Sequence, residues 1–591
     1  MADATIDPNA NANHRDIRSF MTEKGKSEDK LFGLNKIFLE IKKKWGLRTA
    51  KAWLEQEFSK GFYLNDSSSA SYFPYCWAND LSRLAREGLF FLGGYNNQPP
   101  KHLDTYFDDV IEFVSFLSNR QSRAVGLPNV IIWAYYFWKI DVQNGHYFND
   151  PDTYLKQYFQ KFVYRLNQPF LRIDQCAFTN VSIFDRPYLE SLFGGLEFPD
   201  GSFAIDQIEE IMKCQRLFMD VVSDIRTENM FTFPVLTYSL LYKNGKFEDE
   251  ETARWACYHN IKWSDSNFFV SDNVGVLSNC CRLLSDTQKL DAFVNSIGGT
   301  ALSVGSCRVS TINLMRIAYE TKFNRKKYIE LLKDRVLLDC KALTSMRHIL
   351  KRNIEKGLLP NYQDGAVELD KQYCTIGILG MYEVIDSFGL VETDEFGNKS
   401  YTDEGLEFAS EILDTINQVK DEFECDFSFN IESIPRENCA GVICTADNLL
   451  FEQDKYFIYS NQWVPLTEQC TIKEKCRLGN VLDQKCGGGC IAHIDIENRF
   501  ATKDTAWEML NYVASKGVIY FAFTTKINVC EDKHSFIGVQ TCPICGKPVA
   551  DQYARVVGFY TPVSSYQKIR KKEFNLRRWY NVLDADSIMK G

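Results

Sequence analysis

RVVGFYTPVSSY, residues 555–566, sets a single glycine inside an apolar run, with Val556, Val557 and Phe559 around Gly558. A glycine in such a segment ordinarily marks a bulge or a close approach of backbone. It also permits a chemistry that no other residue shares. The α-carbon of glycine can become a planar radical without a side chain clashing, and that radical is stabilised jointly by the donating amide nitrogen and the withdrawing carbonyl. The stretch runs on into KKEFNLRRWY, residues 571–580.

Just upstream, Cys530, His534, Cys542 and Cys545 fall within 16 residues. Cys542-Pro-Ile-Cys545-Gly546 is a knuckle whose turn aims two thiolates at one point. Cys530 and His534 complete a set of three sulfurs and one nitrogen, the tetrahedral donor set that zinc favours. Four protein ligands leave no open position, so such a zinc is structural. The competing reading is a plain turn with Cys530 and His534 incidental. A nucleic-acid-binding zinc ribbon carries the same motif, so the motif alone assigns no function.

Composition narrows the field. The 591 residues carry 68 Lys plus Arg against 78 Asp plus Glu, a net charge of −10, which argues against a general polyanion binder. At 45% hydrophobic and 14% aromatic, the chain predicts a large packed interior rather than a disordered or fibrous protein. The longest apolar run, Val130 to Trp138, is far short of the roughly 20 residues a membrane span needs. No basic segment followed by an apolar one marks the N-terminus as a secretory signal. Nineteen cysteines, odd in number and irregular in spacing, disfavour a disulfide framework and point to a reducing, cytoplasmic compartment.

Periodicity adds the architecture. Residues 1–27 read as a polar arm, followed by a helical pattern from Asp29 to Lys60. Phe107, Val110, Ile111, Val114 and Leu117 predict a helix over 102–118, and Ile329, Leu332, Val336 and Leu337 another over 325–354. Residues 231–241, 310–318, 490–496 and 517–523 read as buried strands. Helices alternating with buried strands over about 500 residues predict a large α/β protein, plausibly a barrel.

The loop 555–566, the tail 571–580 and the preceding zinc knuckle together resemble the glycyl-radical region of anaerobic (class III) ribonucleotide reductases. Ala70–Gly94, Phe178–Asn180, Phe231–Leu241, Asn279–Leu283, Ser310–Ala318 and Gly487–Ile496 are also similar to family segments, in the family's order. The family's zinc site usually has two Cys-x-x-Cys pairs. This chain has one, which makes His534 the most divergent of the four ligands. The resemblance implies a ten-stranded α/β barrel over residues 28–525, a zinc-binding segment at 526–550, and a radical loop and tail at 551–591. It also implies that the 1–27 arm is too short for the ATP-binding regulatory domain many members carry.

It further implies an activity: reduction of ribonucleoside triphosphates to 2′-deoxyribonucleoside triphosphates. A separate iron–sulfur, S-adenosylmethionine-dependent activase would install the radical on Gly558. Cys281, preceding Arg282, matches the cysteine that becomes the thiyl; Cys280 beside it is an addition. Cys76 matches a second active-site cysteine, Asn313 an asparagine near the substrate hydroxyls, and Arg436 a loop near the substrate phosphates. Cys76 as a packed thiol, Asn313 as a buried backbone partner and Arg436 on a solvated turn are the competing readings. Gly487–Gly489 could let backbone approach a phosphate or the radical loop, and His493 reads as a core histidine. Members that use formate carry a Met where this chain has Asn279, so a thioredoxin- or glutaredoxin-type reductant is expected. The family is dimeric, with deoxynucleotide effectors near an interface expected around residues 102–138. The alternatives are another glycyl radical enzyme of acyltransferase or lyase type, which lacks the zinc knuckle, and a zinc-ribbon nucleic-acid-binding protein, which the acidic charge disfavours.

Overall fold

The computed structural model describes residues 17–92, 98–172, 176–279, 283–286, 302–434, 439–555 and 558–581. Ten strands form its centre: β1 (Cys76–Ala78), β2 (Val125–Gly126), β3 (Thr179–Phe184), β4 (Val235–Lys243), β5 (Ser266–Ser271), β6 (Gly305–Asn313), β7 (Gln372–Leu379), β8 (Phe429–Ser433), β9 (Ala492–Asp495) and β10 (Tyr520–Thr524). Their spatial order is β8-β7-β6-β1-β2-β3-β4-β5-β10-β9. β1 to β5 run parallel to their neighbours, as do β6 to β10. The two halves meet antiparallel, β1 against β6 through Trp77↔Gly305 and β5 against β10 through Phe269↔Tyr520.

A parallel bridge between Glu432 and Gly489 joins the outermost strands, so the sheet closes on itself. Glycine is required at that seam. Gly489 sits at φ 94°, and a Cβ on Gly488 would lie 2.7 Å from the Ile431 carbonyl oxygen. The glycine run read as a possible phosphate contact is thus the closure of the barrel. At the β1–β6 junction a Cβ on Gly305 would lie 2.2 Å from the Cys76 oxygen. Only a bare backbone lets those strands approach.

Strands buried on both faces read as near-continuous apolar runs, yet here one face is polar. On β3 and β4, Val181, Ile183, Leu236, Tyr238 and Leu240 pack into the outer core under the helices. The alternate residues Asn180, Ser182, Thr237 and Ser239 point the other way, into the barrel, and are equally buried. On β8, Ile431 faces the helices and Asn430 the lumen. Asn180 Oδ1, Ser182 Oγ, Ser239 Oγ, Thr524 Oγ1 and both amide atoms of Asn430 have no hydrogen-bond partner within the protein. Buried polar atoms are normally paired, so this lumen is built for a polar guest.

The helical expectations hold in part. α1 (Ile17–Trp45) starts inside the segment read as a loose arm, and α2 (Leu47–Ser59) follows it. α3 (Leu103–Ser118), α4 (Val130–Gln143) and the helix Arg325–Glu355 cover the barrel. The run 310–318 is strand only to Asn313. There the side chain caps the helix Leu314–Glu320 and ends the strand. Among the described residues no helix is long and apolar enough to cross a membrane.

Gly305→Ala puts a methyl group against a backbone oxygen that cannot swing aside. It should destabilise the protein by about 1–3 kcal/mol or more, measured by chemical denaturation. At Gly195 an added Cβ meets nothing within 4 Å, and Gly195→Ala should stay within about 0.5 kcal/mol of wild type.

Candidate active site and metal centre

After β10 the chain forms a second, four-stranded sheet. β11 (Ile527–Cys530) is flanked by β12 (Ser535–Phe536) and β13 (Val549–Arg555), and β13 pairs in turn with β14 (Tyr560–Pro562). Cys530 ends β11, and a tight turn through Lys533 (φ 71°) brings His534 back beside it. In the knuckle, Gly546 N donates to the Cys542 oxygen at 2.9 Å with Gly546 at φ 74°. Cys530 Sγ lies 3.7 Å from His534 Nδ1 and 3.7 Å from Cys545 Sγ, and Cys542 Sγ lies 3.8 Å from His534 Nδ1. A zinc tetrahedron with bonds of about 2.3 Å has sulfur–sulfur edges of about 3.8 Å, whereas disulfide sulfurs sit at about 2.05 Å. The four ligand atoms therefore fit one zinc ion and not a disulfide.

The same sheet carries Gly558. β13 and β14 pair through Arg555↔Tyr560, and Gly558 lies buried in the connection between them. Its carbonyl oxygen accepts hydrogen bonds from Arg555 Nη1 at 3.1 Å and from Asn267 Nδ2, on β5, at 3.3 Å. Arg555 Nη1 also donates to Asn267 Oδ1, and Arg555 Nη2 to the Ser264 oxygen at 2.9 Å. Thr232 Oγ1 donates to the Tyr560 oxygen at 3.0 Å, and Tyr560 OH to the Thr525 oxygen at 2.9 Å. Polar groups from the starts of β4 and β5 and the end of β10 thus hold the loop at one end of the lumen.

Apolar contacts complete the mount. The Phe559 ring lies 5.1 Å from Phe178 and 5.3 Å from Phe233, which immediately precede β3 and β4 or their entry. These rings share one buried cluster with Cys76, Cys176, Ala554, Tyr566 and Phe574. Burial pushes the Cys176 thiol up to about 11, and it donates to the Asn167 oxygen. Behind the loop, Glu573 is buried between Arg570 (3.1 Å) and Arg577 (3.2 Å), and Arg577 lies 3.7 Å from Asp495 on β9. Burial opposes the Arg577 charge, but Glu573 and Asp495 outweigh it and push its pKa up. Arg577 Nη1 donates to the Arg555 oxygen at 2.7 Å, and Tyr580 bridges Ile496. The tail is thereby strapped across the barrel and onto the base of the loop.

The expected site residues fare differently. Cys76, on β1, is buried opposite Ser306 and belongs to the cluster that holds Phe559. Cys280, Cys281 and Arg436 lie outside the described residues. Val276–Asn279 and Leu283–Asp286, on either side of the cysteine pair, form an antiparallel hairpin directly after β5. Asn313 is a correction. Its Oδ1 accepts from Arg316 N, and its Nδ2 donates to the Lys60 oxygen at 3.1 Å and to Asp447 Oδ2 at 2.9 Å. Both amide hydrogens are used inside the fold. Asn313 also lies seven residues along β6 from Ser306, the partner of Cys76, or roughly 23 Å at strand rise. It is a structural cap, not a ribose contact. His493 is buried on β9 and alternates with Ile494, which packs into the outer core. Sequence reading missed Asn267, the Phe178–Phe233 cage and the Glu573 network. Only Glu573 and Arg577, four residues apart at the end of a helix that Arg577 caps, left a local signal.

A family model for anaerobic ribonucleoside-triphosphate reductase matches residues 30–580. The chain is similar to a solved anaerobic ribonucleotide reductase at 39% identity and TM-score 0.88, covering 96% of this chain and 90% of that one. It is also similar to the Thermotoga maritima anaerobic ribonucleotide reductase with dATP bound in the specificity site, at 40% identity and TM-score 0.86, covering 93% and 92%. A third solved structure, of the same T. maritima enzyme in complex with dATP and CTP, gives 39% identity and TM-score 0.86 over 95% and 92%. A structure of 1,2-propanediol dehydration in Roseburia inulinivorans shares the fold alone, at 9% identity and TM-score 0.52 over 93% of this chain and 78% of that one. No curated protein matches by sequence. The chain belongs to the anaerobic ribonucleoside-triphosphate reductase family of glycyl radical enzymes, and it is an oxidoreductase that reduces ribonucleotides.

Proposed function

We propose that Gly558 stores the radical, that Cys281 becomes the thiyl that attacks the ribose, and that Cys76 serves the opposite face of the sugar. The observation that carries this reading is the mounting of Gly558. Its carbonyl is clamped by Asn267 and Arg555, and its neighbour Phe559 packs into the cluster that contains Cys76. A polar, closed lumen keeps bulk water from the intermediates and offers unpaired donors and acceptors to a ribose.

The chemistry balances as follows. The Gly558 radical takes the hydrogen atom of the Cys281 thiol, a one-electron exchange for which a low thiol pKa is not needed. The sulfur radical removes the ribose 3′-hydrogen, and the 2′-hydroxyl then leaves as water once protonated. Cys76 and a thiol of the external reductant together give up two electrons and two protons, one proton leaving in the water and the other ending on C2′, and the two sulfurs finish as a disulfide. The 3′-hydrogen returns to carbon, and the radical returns to Gly558. Sulfur–hydrogen and ribose carbon–hydrogen bonds are close in strength, so transfer runs in both directions. Arg436 is assigned to the substrate phosphates.

The remaining assignments follow the family likeness. An S-adenosylmethionine-dependent iron–sulfur activase generates the radical, and Asn279 and Cys280 favour a thioredoxin- or glutaredoxin-type reductant over formate. Deoxynucleotide effectors act near a homodimer interface around α3 and α4, and the enzyme works in the cytoplasm. Zinc held by Cys530, His534, Cys542 and Cys545 would lock the sheet whose other edge presents Gly558. That ligand cluster, just before the radical glycine, separates this reading from an acyltransferase or lyase of the wider class.

Cys281→Ala should lower turnover by at least about a thousandfold, or about 4 kcal/mol of transition-state stabilisation, and still permit a glycyl radical by EPR. If Cys280→Ala alone is inactive, the other sulfur is the reactive one. Formate alone should not support rapid turnover. As isolated, the enzyme should contain one zinc per chain. Chelation should lower the radical yield while leaving nucleotide binding largely unchanged, as measured by spin counting beside equilibrium dialysis.

A further inference from the structure

A second group of metal-ligating side chains lies away from the lumen. His102, Asp141 and His146 bring one ligand atom each to within 4.8 Å of one another. They come from three places in the fold. His102 is the residue before α3, Asp141 is on the last turn of α4, and His146 follows Gly145, at φ 69°, in the loop after α4. Two of the chain's seven histidines therefore meet across 44 residues of sequence.

Asp141 is the centre of the group. It is fully buried, and Oδ1 lies 2.6 Å from His102 Nδ1. Its Oδ2 accepts from Leu103 N at 2.8 Å and from Tyr154 OH at 2.8 Å. His146 N donates to the Asp141 backbone oxygen at 2.7 Å. Among the described residues, no Lys or Arg side chain forms an ion pair with this carboxylate, and its one basic partner is the His102 ring. The histidines are partly exposed and exposed, so an ion can reach them from solvent.

We propose that His102, Asp141 and His146 bind one divalent transition-metal ion, which enters between His102 Nδ1 and Asp141 Oδ1. His102 and His146 already stand side by side, with ring centroids 4.1 Å apart and planes 30° apart, and each brings a ligand atom within 4.8 Å of the Asp141 carboxylate. Adjacent ligand atoms on such an ion stand about 3 Å apart, so His102 and Asp141 need to separate by only a few tenths of an ångström. Leu103 N and Tyr154 OH hold the carboxylate from behind, the outer-shell support that fixes a ligand's direction. Two imidazoles and one carboxylate select zinc, nickel or cobalt over magnesium or calcium. The ion ties the start of α3 to the end of α4, a role independent of the radical chemistry.

The test uses untagged full-length protein whose cysteine site is already filled with zinc, freed of loose metal and titrated with Ni²⁺ by calorimetry. Wild type should take up one Ni²⁺ per chain at micromolar concentration, with no displacement by millimolar Mg²⁺. His146→Ala, at an exposed position that folding does not require, should bind at least about tenfold more weakly. Asp141→Asn should lose the site as well. No uptake by wild type, or undiminished uptake by His146→Ala, would overturn the assignment.

Discussion

Gly558 has no side chain with which to hold itself in place, so everything that locates it must act on its backbone and on its neighbours. The structure meets this constraint from three directions. Asn267 and Arg555 grip the carbonyl, Phe559 wedges between Phe178 and Phe233, and the strapped tail braces Arg555 through Arg577. Removing one partner from the buried Glu573–Arg577–Asp495 group would leave an uncompensated charge, at a cost of about 3–5 kcal/mol. The residues far from the lumen are therefore part of the mount. The Cys530 cluster belongs to it too, because Cys530 ends β11, Gly558 follows β13, and the two strands pair in one small sheet.

The barrel supplies the other half of the arrangement. Its two five-stranded halves run in opposite directions, and it closes where Gly305 and Gly488–Gly489 let backbones meet without side chains between them. The apolar residues of β3, β4 and β8 go outward to the helices, so the alternate positions deliver Asn180, Ser182, Ser239 and Asn430 to the inside. A core filled with such groups would be unstable unless something polar completed it. A ribonucleotide, with hydroxyls on one side and phosphates on the other, is such a molecule.

What the sequence disclosed followed the range of the interactions. The Cys530–Cys545 cluster was readable because its four donors lie within 16 residues, and α3 and Arg325–Glu355 because apolar positions repeat at helical spacing. The stretch 310–318 was misread because apolar content is the same in a buried strand and a buried helix. The switch at Asn313 is set by a cap hydrogen bond. Asn313 itself was misassigned for the related reason that an asparagine's partners are not encoded near it: Lys60 and Asp447 are distant in sequence. Asn267 gave no local signal at all, since its role exists only once β5 faces the loop. The start of α1 at Ile17 was missed because its first turns are polar.

The central claim is that the radical resides on the α-carbon of Gly558, and EPR of isotopically labelled enzyme tests it most directly. Protein made with glycine deuterated at the α-carbon and activated anaerobically should lose the doublet splitting caused by the single α-hydrogen and give a collapsed line. Gly558→Ala should give no signal. A doublet that survives the label, or a radical signal of equal intensity in Gly558→Ala, would place the unpaired electron elsewhere and contradict the account.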